Sequence, residues 1–145
     1  MILIQEVTSS SDEVLDAIKR LLPQLTEFKP IPTPSEVDEI INSQSSSIWV
    51  AKNEQEMIIG MCCLVVYRTV TGIHAWIEDV VVDKNARRQG IGRQLTQAVI
   101  NAAQQKGAAS INLTSRPGRI EANRLYQEIG FKAASTNLYQ KKLTR

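Results

Sequence analysis

The sequence predicts a mixed α/β domain in which about four helices flank a mostly antiparallel sheet of six to seven strands. Runs rich in Val and Ile alternate with segments whose apolar residues recur every three or four positions, the spacings of strands and amphipathic helices. Glycines and prolines separate these segments. With 145 residues, 43% of them hydrophobic, the chain is long enough for one domain with a buried core, and we expect residues 1–145 to form it.

The N-terminal third predicts one strand and two helices. Residues 1–7 suit an opening strand, and Ser10 with Glu13 fits the capping box that begins a helix. Pro23 is expected to close this helix, because proline cannot donate a helical hydrogen bond. A loop with three prolines follows, and Ser35 is the expected cap of a second, short helix.

The middle of the chain predicts an antiparallel meander. Residues 46–53 and 57–68 are strand-like and flank a polar turn, and residues 75–83 form the next strand after a second turn. Cys62 and Cys63 are neighbours in a strand and therefore point to opposite faces. We expect two reduced, buried cysteines here and neither a disulfide nor a metal site.

The second half predicts two helices, each ended by a glycine and followed by strand-like residues. The first helix starts near Gly90 and ends just before Gly107, which caps it, and the strand at residues 110–115 follows. The second helix ends at Gly130, and residues 131–143 supply one or two closing strands. This order gives the six to seven strands expected above.

The turn that follows the strand at residues 75–83 is rich in arginine and glycine. It presents the amides of a helix N-terminus, which together with the helix dipole favour an anion. Gly90 and Gly92 leave the backbone open to a phosphate, and Arg87, Arg88 and Arg93 add cationic donors. The sequence thus predicts a phosphate-binding turn. The alternative is a turn of the same composition that binds no ligand.

Several classes of ligand are excluded by composition and motif. A dinucleotide fingerprint needs a glycine where Leu95 stands, and a nucleotide P-loop needs a Gly-Lys-Ser/Thr that the turn lacks. The net charge of +2 is too balanced for a nucleic-acid partner. No segment approaches the ~20 apolar residues of a membrane span, and the N-terminus does not resemble a signal peptide. We therefore expect a cytoplasmic protein with neither nucleic acid nor membrane as a partner.

Two motifs resemble those of the GNAT superfamily of N-acetyltransferases. Residues 87–92, R-x-x-G-x-G, resemble its coenzyme-binding signature, and residues 123–131, N-x-x-Y-x-x-x-G-F, resemble a second part of its acetyl-CoA-binding half. The predicted order of strands and helices is similar over essentially the whole chain. The resemblance implies the GNAT fold, with splayed central strands, and acetyl-CoA as the acetyl donor.

The resemblance also implies which residues contact the coenzyme. Main-chain amides of the turn would bind its diphosphate, and the end of the preceding strand would pair with the pantetheine arm like an added strand. The residues implied are Val80, Val81 and Val82 on the strand, Arg87, Arg88, Gln89, Gly90, Ile91, Gly92 and Arg93 in the turn, and Asn123 and Tyr126 on the last helix. The resemblance makes Tyr126 a donor to the coenzyme sulfur, while its spacing also fits a structural position in the apolar stripe.

Acetyl transfer requires a neutral amine, so a base must remove a proton directly or through water. Glu78 and Asp79 lie just before the end of the strand, at the depth expected for the thioester. In a regular strand they point to opposite faces, so only one would face the acceptor unless a bulge re-aims them. Glu78 is the first candidate for the base, and Asp79 is the alternative or a partner of the substrate ammonium. The remaining interpretation is a pair of ordinary edge carboxylates.

Other residues are candidates for acceptor recognition. Tyr67, Arg68, His74 and Trp76 lie on the predicted hairpin and could line an acceptor pocket. Arg116 and Arg119 could clamp a phosphate or carboxylate, on the coenzyme or on the acceptor, or could be solvated loop residues.

The sequence therefore predicts an acetyl-CoA-dependent N-acetyltransferase that acts on a primary amine of a small molecule or peptide by direct transfer in a ternary complex. No metal is implied, and a homodimer is left open. One alternative is a non-catalytic acyl-CoA sensor or interaction module of the same fold. The other is an unrelated α/β interaction protein whose turn binds no nucleotide.

Overall fold

The computed structural model describes residues 1–27 and 29–144, which contain five strands and four α-helices. The strands are β1 (Leu3–Glu6), β2 (Ser46–Lys52), β3 (Ile58–Thr69), β4 (Gly72–Val82) and β5 (Ile111–Asn112). The helices are α1 (Asp12–Leu25), α2 (Pro34–Ile41), α3 (Ile91–Gln105) and α4 (Ile120–Ile129). Residues 1–114 form one compact unit that holds the whole described sheet, and a second, smaller unit begins at Ser115.

The sheet has the order β1-β2-β3-β4-β5, and every neighbouring pair is antiparallel except β4 with β5. The parallel pair is short, because β5 meets β4 only at Ala75 and Trp76. From Ile77 to Val82, β4 has no ladder with β5 in the part of the chain described, so the two strands splay. The predicted mixed, mostly antiparallel sheet with splayed central strands is confirmed.

Apolar clusters cover both faces of the sheet and fix the end of β4. On one face, α1 and α2 pack on β2, β3 and β4 through a cluster that includes Leu21, Val37, Val50, Met61 and Val81. On the other face, Ile91 at the start of α3 packs with Ala51 and Ile59, and Val82 lies against this group. Because Val81 belongs to the first cluster and Val82 contacts the second, the last two residues of β4 are packed on both faces of the sheet.

The structure corrects the predicted limits of α1. Ser11, and not Ser10, caps the helix, since its hydroxyl accepts the Val14 amide at 3.2 Å. Pro23 lies inside the helix, which continues to Leu25, because a proline this close to the C-terminal end removes only one helical hydrogen bond. No helix among the described residues has the length and apolar character needed to cross a membrane.

The cap of α2 also differs from the prediction. Thr33, and not Ser35, caps the helix, because the Thr33 hydroxyl accepts the Glu36 amide at 3.1 Å and the Glu36 carboxylate accepts the Thr33 amide at 2.9 Å. Pro34 occupies the first helical position, where its fixed φ is favourable and its missing donor costs nothing. The proline therefore starts α2, and the residue before it is the cap.

The predicted count of six to seven strands is wrong for the described residues, which contain five. The strand expected at residues 110–115 is only two residues long, and residues 131–144 contain no strand. Leu138, Tyr139 and Leu143 are exposed in this segment. A strand requires a neighbour that pairs with its backbone, and a local apolar pattern does not reveal whether one is present.

Candidate active site

The turn between β4 and α3 has the backbone geometry of an anion site. A 3₁₀ turn spans Lys84–Ala86, Arg88 has a φ of +66°, and Gly90 precedes α3 with a φ of +75°. The first backbone hydrogen bond of α3 runs from the Gln94 amide to the Gly90 carbonyl at 3.0 Å. The helical ladder therefore leaves out the amides of Ile91 and Gly92, and Gly90 has no side chain that could cap them.

The space beside Gly90 is open. A Cβ built on Gly90 meets no atom within 4 Å, so crowding by the protein does not require a glycine there. The positive φ does, because residues with a side chain rarely adopt it. An open, glycine-marked helix start next to exposed arginines fits a diphosphate, whose charge is favoured by the amides and by the helix dipole.

The predicted residues of the turn differ in where they are placed. Arg87, Arg88, Gln89 and Arg93 are exposed, whereas Ile91 is buried and anchors the start of α3 in the core. The Arg87 Nε donates to the Val82 carbonyl at 3.2 Å, so this side chain folds back on the end of β4. This hydrogen bond ties the Arg87 side chain to the strand that leads into the turn.

The entrance of the turn, which consists of Asp83 and Lys84, is held by residues that the sequence did not single out. Asp83 is buried directly after β4, and its carboxylate pairs with Arg20 of α1 at 2.8 Å. The Asn85 amide holds the pKa of Asp83 below its ordinary value, Gln24 and Arg20 lower it further, and burial opposes them. Arg20 and Asp83 are 63 residues apart, and no local pattern connects them.

A β-bulge lies at the two carboxylates of β4. Met61 pairs with Val81 and Cys63 pairs with Glu78, so two residues of β4, Asp79 and Val80, stand against the single Cys62 of β3. Asp79 has a φ of +55°, an unusual conformation for a residue with a side chain. The bulge that could re-aim one carboxylate is therefore present, and the strain at Asp79 marks this part of the strand as a candidate site.

The electrostatics show that the two carboxylates share one environment. Glu78 and Asp79 are both exposed, yet partial burial and then the charge of Asp79 raise the pKa of Glu78 above its ordinary value. Burial, followed by the charges of Asp79 and Glu78, raises the pKa of the Cys63 thiol to about 12. Both cysteines are free thiols; Cys62 is buried as predicted, Cys63 is half-buried, and burial raises the pKa of both. A carboxylate with a raised pKa is better suited to act as a base near neutral pH.

Three candidates for acceptor recognition share the face of the sheet that carries Glu78. Directly opposed residues of antiparallel strands lie on one face, and the register pairs Glu78 with Cys63, Trp76 with Val65 and His74 with Tyr67. We call this row the β3–β4 face. It extends about 13 Å from Glu78 to His74 at the usual rise of a strand.

Polar contacts organise the far end of the β3–β4 face. The Trp76 indole donates to the Tyr67 hydroxyl at 3.2 Å, and the rings of Tyr67 and His74 are 5.6 Å apart. The His74 Nε2 hydrogen-bonds with the hydroxyls of Thr69 and Thr71. Arg68 lies apart from this group, because neighbouring strand residues alternate and Arg68 pairs with Ile73 on the other face.

The remaining predicted residues lie in the second unit. Tyr126 is buried, and its ring packs edge-on against Phe131 with centroids 5.8 Å apart. Gly130, with a φ of +116°, ends α4 and lets the Phe131 amide return to the Tyr126 carbonyl at 2.9 Å, as the predicted glycine cap requires.

The loop before α4 holds the two other arginine candidates. The Asn123 side-chain amide donates to the Arg116 carbonyl at 3.1 Å and so closes this loop over the first turn of α4. Arg116 is exposed, and Arg119 is half-buried as the residue before the helix. This hydrogen bond uses the side-chain nitrogen of Asn123, and the side-chain oxygen takes no part in it.

The described residues combine an open turn marked by Gly90, a β4 edge that is not paired with β5 beyond Trp76, and two neighbouring carboxylates, of which Asp79 has a positive φ. Residues 15–131 match the Acetyltransferase (GNAT) family, and the chain is a member of that family. The family predicted from the sequence is thereby confirmed, and so is the fold apart from its number of strands.

Individual relatives agree with this assignment. The chain is 28% identical to N-acetyltransferase 8 of Homo sapiens over 120 residues, which cover 79% of the chain and 52% of that protein. It thus spans about half the length of this relative.

Solved structures share the fold over almost the whole chain. A transcriptional regulator from Bacillus halodurans C-125 superposes with a TM-score of 0.81 at 29% identity, over 98% of this chain and 100% of that one. An aminoglycoside acetyltransferase, meta-AAC0020, from an uncultured soil metagenomic sample superposes with a TM-score of 0.83 at 22% identity, over 99% and 97% of the two chains.

Proposed function

We propose that this chain is an N-acetyltransferase that moves the acetyl group of acetyl-CoA to a primary amine of a small molecule or peptide. The observation that carries the proposal is the open turn at Gly90, directly after the splayed end of the strand that bears Glu78 and Asp79. We further propose that residues 1–145 act as one N-acetyltransferase domain. A cytoplasmic location stays a prediction, and a homodimer is left open.

The turn and the splayed strand would hold the acetyl donor. The amides at the start of α3 and the neighbouring arginines suit its diphosphate, and the unpaired edge of β4 suits its pantetheine arm as an added strand. Val80, Val81 and Val82 would supply that edge. The coenzyme contacts of Asn123 and Tyr126, and the donor role of Tyr126 toward the sulfur, stay predictions from the family resemblance.

The carboxylates would supply the proton chemistry. Glu78 removes a proton from the acceptor ammonium, directly or through water, and the neutral nitrogen then forms a bond to the acetyl carbon. As the carbon–sulfur bond breaks, the nitrogen gives up its second proton, and the thiolate takes up that proton, directly or through water, to leave as the CoA thiol. The raised pKa of Glu78 supports it as the base, and Asp79 next to it would attract the cationic amine.

The β3–β4 face would receive the acceptor. It leads from Glu78 to exposed or half-buried aromatic side chains, which offer apolar area and hydrogen-bonding groups to a molecule that reaches the carboxylate. Arg116 and Arg119 stay candidates for an anionic group of either substrate. Amines of antibiotics, polyamines and peptide N-termini are the acceptors to compare, since an aminoglycoside acetyltransferase has the same fold.

A sensor without catalytic activity is the second candidate. The observation that favours it is the similarity to a transcriptional regulator at 29% identity over nearly the whole chain. Such a protein would bind acyl-CoA at the same turn but would not release CoA with any amine.

An amine panel separates the two candidates. Thiol release from acetyl-CoA would be measured with aminoglycosides, polyamines, amino acids and short peptides, beside a thermal-shift titration with CoA. A ligand at a hundred times its dissociation constant adds ~2.7 kcal/mol to the free energy of unfolding. We expect a shift with CoA and thiol release with at least one amine class. A shift without release favours the sensor, and no shift rejects both.

A further inference from the structure

We propose that Arg20 of α1 is a positioning residue for coenzyme binding, because it holds the entrance of the turn that receives the diphosphate. The inference rests on the proposed function, since it assumes that the turn binds acetyl-CoA. Arg20 itself lies at the entrance, on the side of α1, and needs no contact with the coenzyme.

Arg20 joins two strands of the sheet at the point where the turn begins. Its Nη1 donates to the Asp83 Oδ2 at 2.8 Å, and its Nη2 donates to the Ile58 carbonyl at 2.7 Å. One guanidinium therefore connects the start of β3 with the residue that follows β4. The rigid fork of arginine makes both bonds at once, which the single ammonium of a lysine would do less well.

The Asp83 carboxylate passes this restraint on to the turn. Its Oδ1 accepts the Asn85 amide at 3.1 Å and so fixes the 3₁₀ turn, while its Oδ2 is held by Arg20. Gln24, one helical turn after Arg20, accepts the Lys84 amide at 2.8 Å. Two side chains of α1 thus hold two consecutive residues at the entrance.

The other end of the turn is held independently by Ile91, which is buried in the core. Between these two anchors the backbone adopts the positive φ values of Arg88 and Gly90. A loop fixed before its ligand arrives loses less conformational entropy on binding. Release of the entrance is therefore expected to weaken coenzyme binding and to leave the chemistry of the bound complex unchanged.

Calorimetric titration with CoA tests the inference on Arg20→Met. The matched control is Lys19→Met, which removes the same charge from the neighbouring, exposed position of α1. We expect the dissociation constant for CoA to be about ten times larger for Arg20→Met and close to the wild-type value for the control. Arg20→Lys keeps the charge and loses the forked guanidinium, so its dissociation constant for CoA is expected to lie between those of Arg20→Met and the control. It also serves as the test variant if Arg20→Met fails to fold.

Asp83→Asn, alone and with Arg20→Met, shows whether the two residues act together. We expect the double variant to bind CoA about as weakly as the weaker single variant, because both changes release the same entrance. With the acceptor found in the amine panel, the KM for acetyl-CoA rises in Arg20→Met and kcat stays near the wild-type value.

Two outcomes overturn the inference in different ways. Equal CoA affinity for Arg20→Met and Lys19→Met, with only a lower melting temperature for the first, leaves Arg20 a structural residue and keeps the proposed function. Absence of CoA binding by the wild-type chain rejects the proposed function, and the inference with it.

Discussion

The two ends of β4 are built in different ways. Its C-terminal end leads into a turn defined by backbone, with Gly90 at positive φ and with anchors on both sides. Its N-terminal end belongs to the β3–β4 face, whose far part is formed by exposed or half-buried side chains such as Tyr67 and Trp76. Under the proposed function, the backbone turn would bind the diphosphate of the coenzyme, and the face of side chains would bind the acceptor.

The largest expected effect comes from a substitution in the turn at the C-terminal end of β4. In Gly90→Val, a β-branched residue must adopt a φ of +75°, and its side chain fills the open space beside the turn. Strain of about 1–3 kcal/mol and obstruction of the diphosphate are expected to weaken CoA binding by about a hundredfold or more. Calorimetric titration with CoA measures this loss.

Gly72→Val is the matched control for that change. Gly72 also has a positive φ and open space around it, but it lies in the β3–β4 hairpin, away from the turn. It is expected to lose stability without a loss of CoA affinity. Similar losses of CoA affinity in both variants would mean that general destabilisation, and not the turn, explains the result.

The next effect concerns the carboxylates between the two ends. Glu78→Gln keeps the shape of the side chain and removes the base, so thiol release with the best amine of the panel is expected to fall about a hundredfold or more. Its affinity for CoA is expected to stay the same. A variant with the wild-type rate would exclude Glu78 as the base, and a selective loss in Asp79→Asn would transfer the role to Asp79.

The pH profile sharpens the same assignment. The base must be ionised, so the rate rises with pH as Glu78 loses its proton, and this rise lies above the ordinary range of a glutamate because its pKa is raised. The charge of Asp79 is one cause of that raised pKa. Asp79→Asn is therefore expected to move the rising limb to lower pH, measured as kcat/KM against pH. If kcat/KM of Asp79→Asn rises at the same pH as that of the wild type, the ionisation of Glu78 does not control the rate.

A smaller effect is expected from a substitution on the β3–β4 face, which tests whether this face binds the acceptor. Trp76→Ala removes an aromatic wall of the β3–β4 face, and we expect the KM for the acceptor to rise about threefold to tenfold. The KM for acetyl-CoA is expected to remain unchanged. Arg68→Ala, on the opposite face of β3, is the control and is expected to leave both KM values near the wild type. A rise in the KM for acetyl-CoA in Trp76→Ala would contradict the division between the two ends.

The smallest effect is on stability in acid. The pKa of Asp83 is lowered in the folded state, so its contribution is present above the pKa of the unfolded chain and is lost as the pH falls through the folded value. Pairs of this kind contribute about 0.2–1 kcal/mol. Asp83→Asn is therefore expected to lower the melting temperature by about 0.5–4 °C at pH 7, with a smaller difference at pH 3.

Asp16→Asn, at an exposed position of α1, is the control for that measurement. We expect its melting temperature to follow that of the wild type at both pH values. A difference between Asp83→Asn and the wild type that persists at pH 3 would show that the carboxylate stabilises the fold by a route other than its charge.

Features that depend on neighbours in sequence could be predicted. The glycine that begins α3 and the glycines that follow α3 and α4 were correctly predicted, because a positive φ is a local requirement that glycine meets best. The family could be identified for the same reason, since its motifs are short segments with fixed spacing. The cap of α2 was missed at Thr33 only because Ser35 offered a similar local signal.

Features that depend on distant partners could not be predicted. The closing strands expected in residues 131–143 required pairing partners that the local pattern does not specify. The bulge at Asp79 arises from the register between β3 and β4, and neither strand marks it in its own residues. The contacts of Arg20 with Ile58 and Asp83 join segments far apart in the chain. The candidate site was therefore predicted at its backbone turn and not in the contacts that hold that turn.

Amide resonances of the turn test the central claim most directly. In a ¹⁵N-labelled sample, CoA is expected to shift the amides of Gly90, Ile91 and Gly92, because the diphosphate would lie against them. Pantetheine, which has the same arm and no diphosphate, is expected to leave these three amides in place. The account is contradicted if CoA binds and these amides do not move, or if pantetheine moves them as much as CoA does.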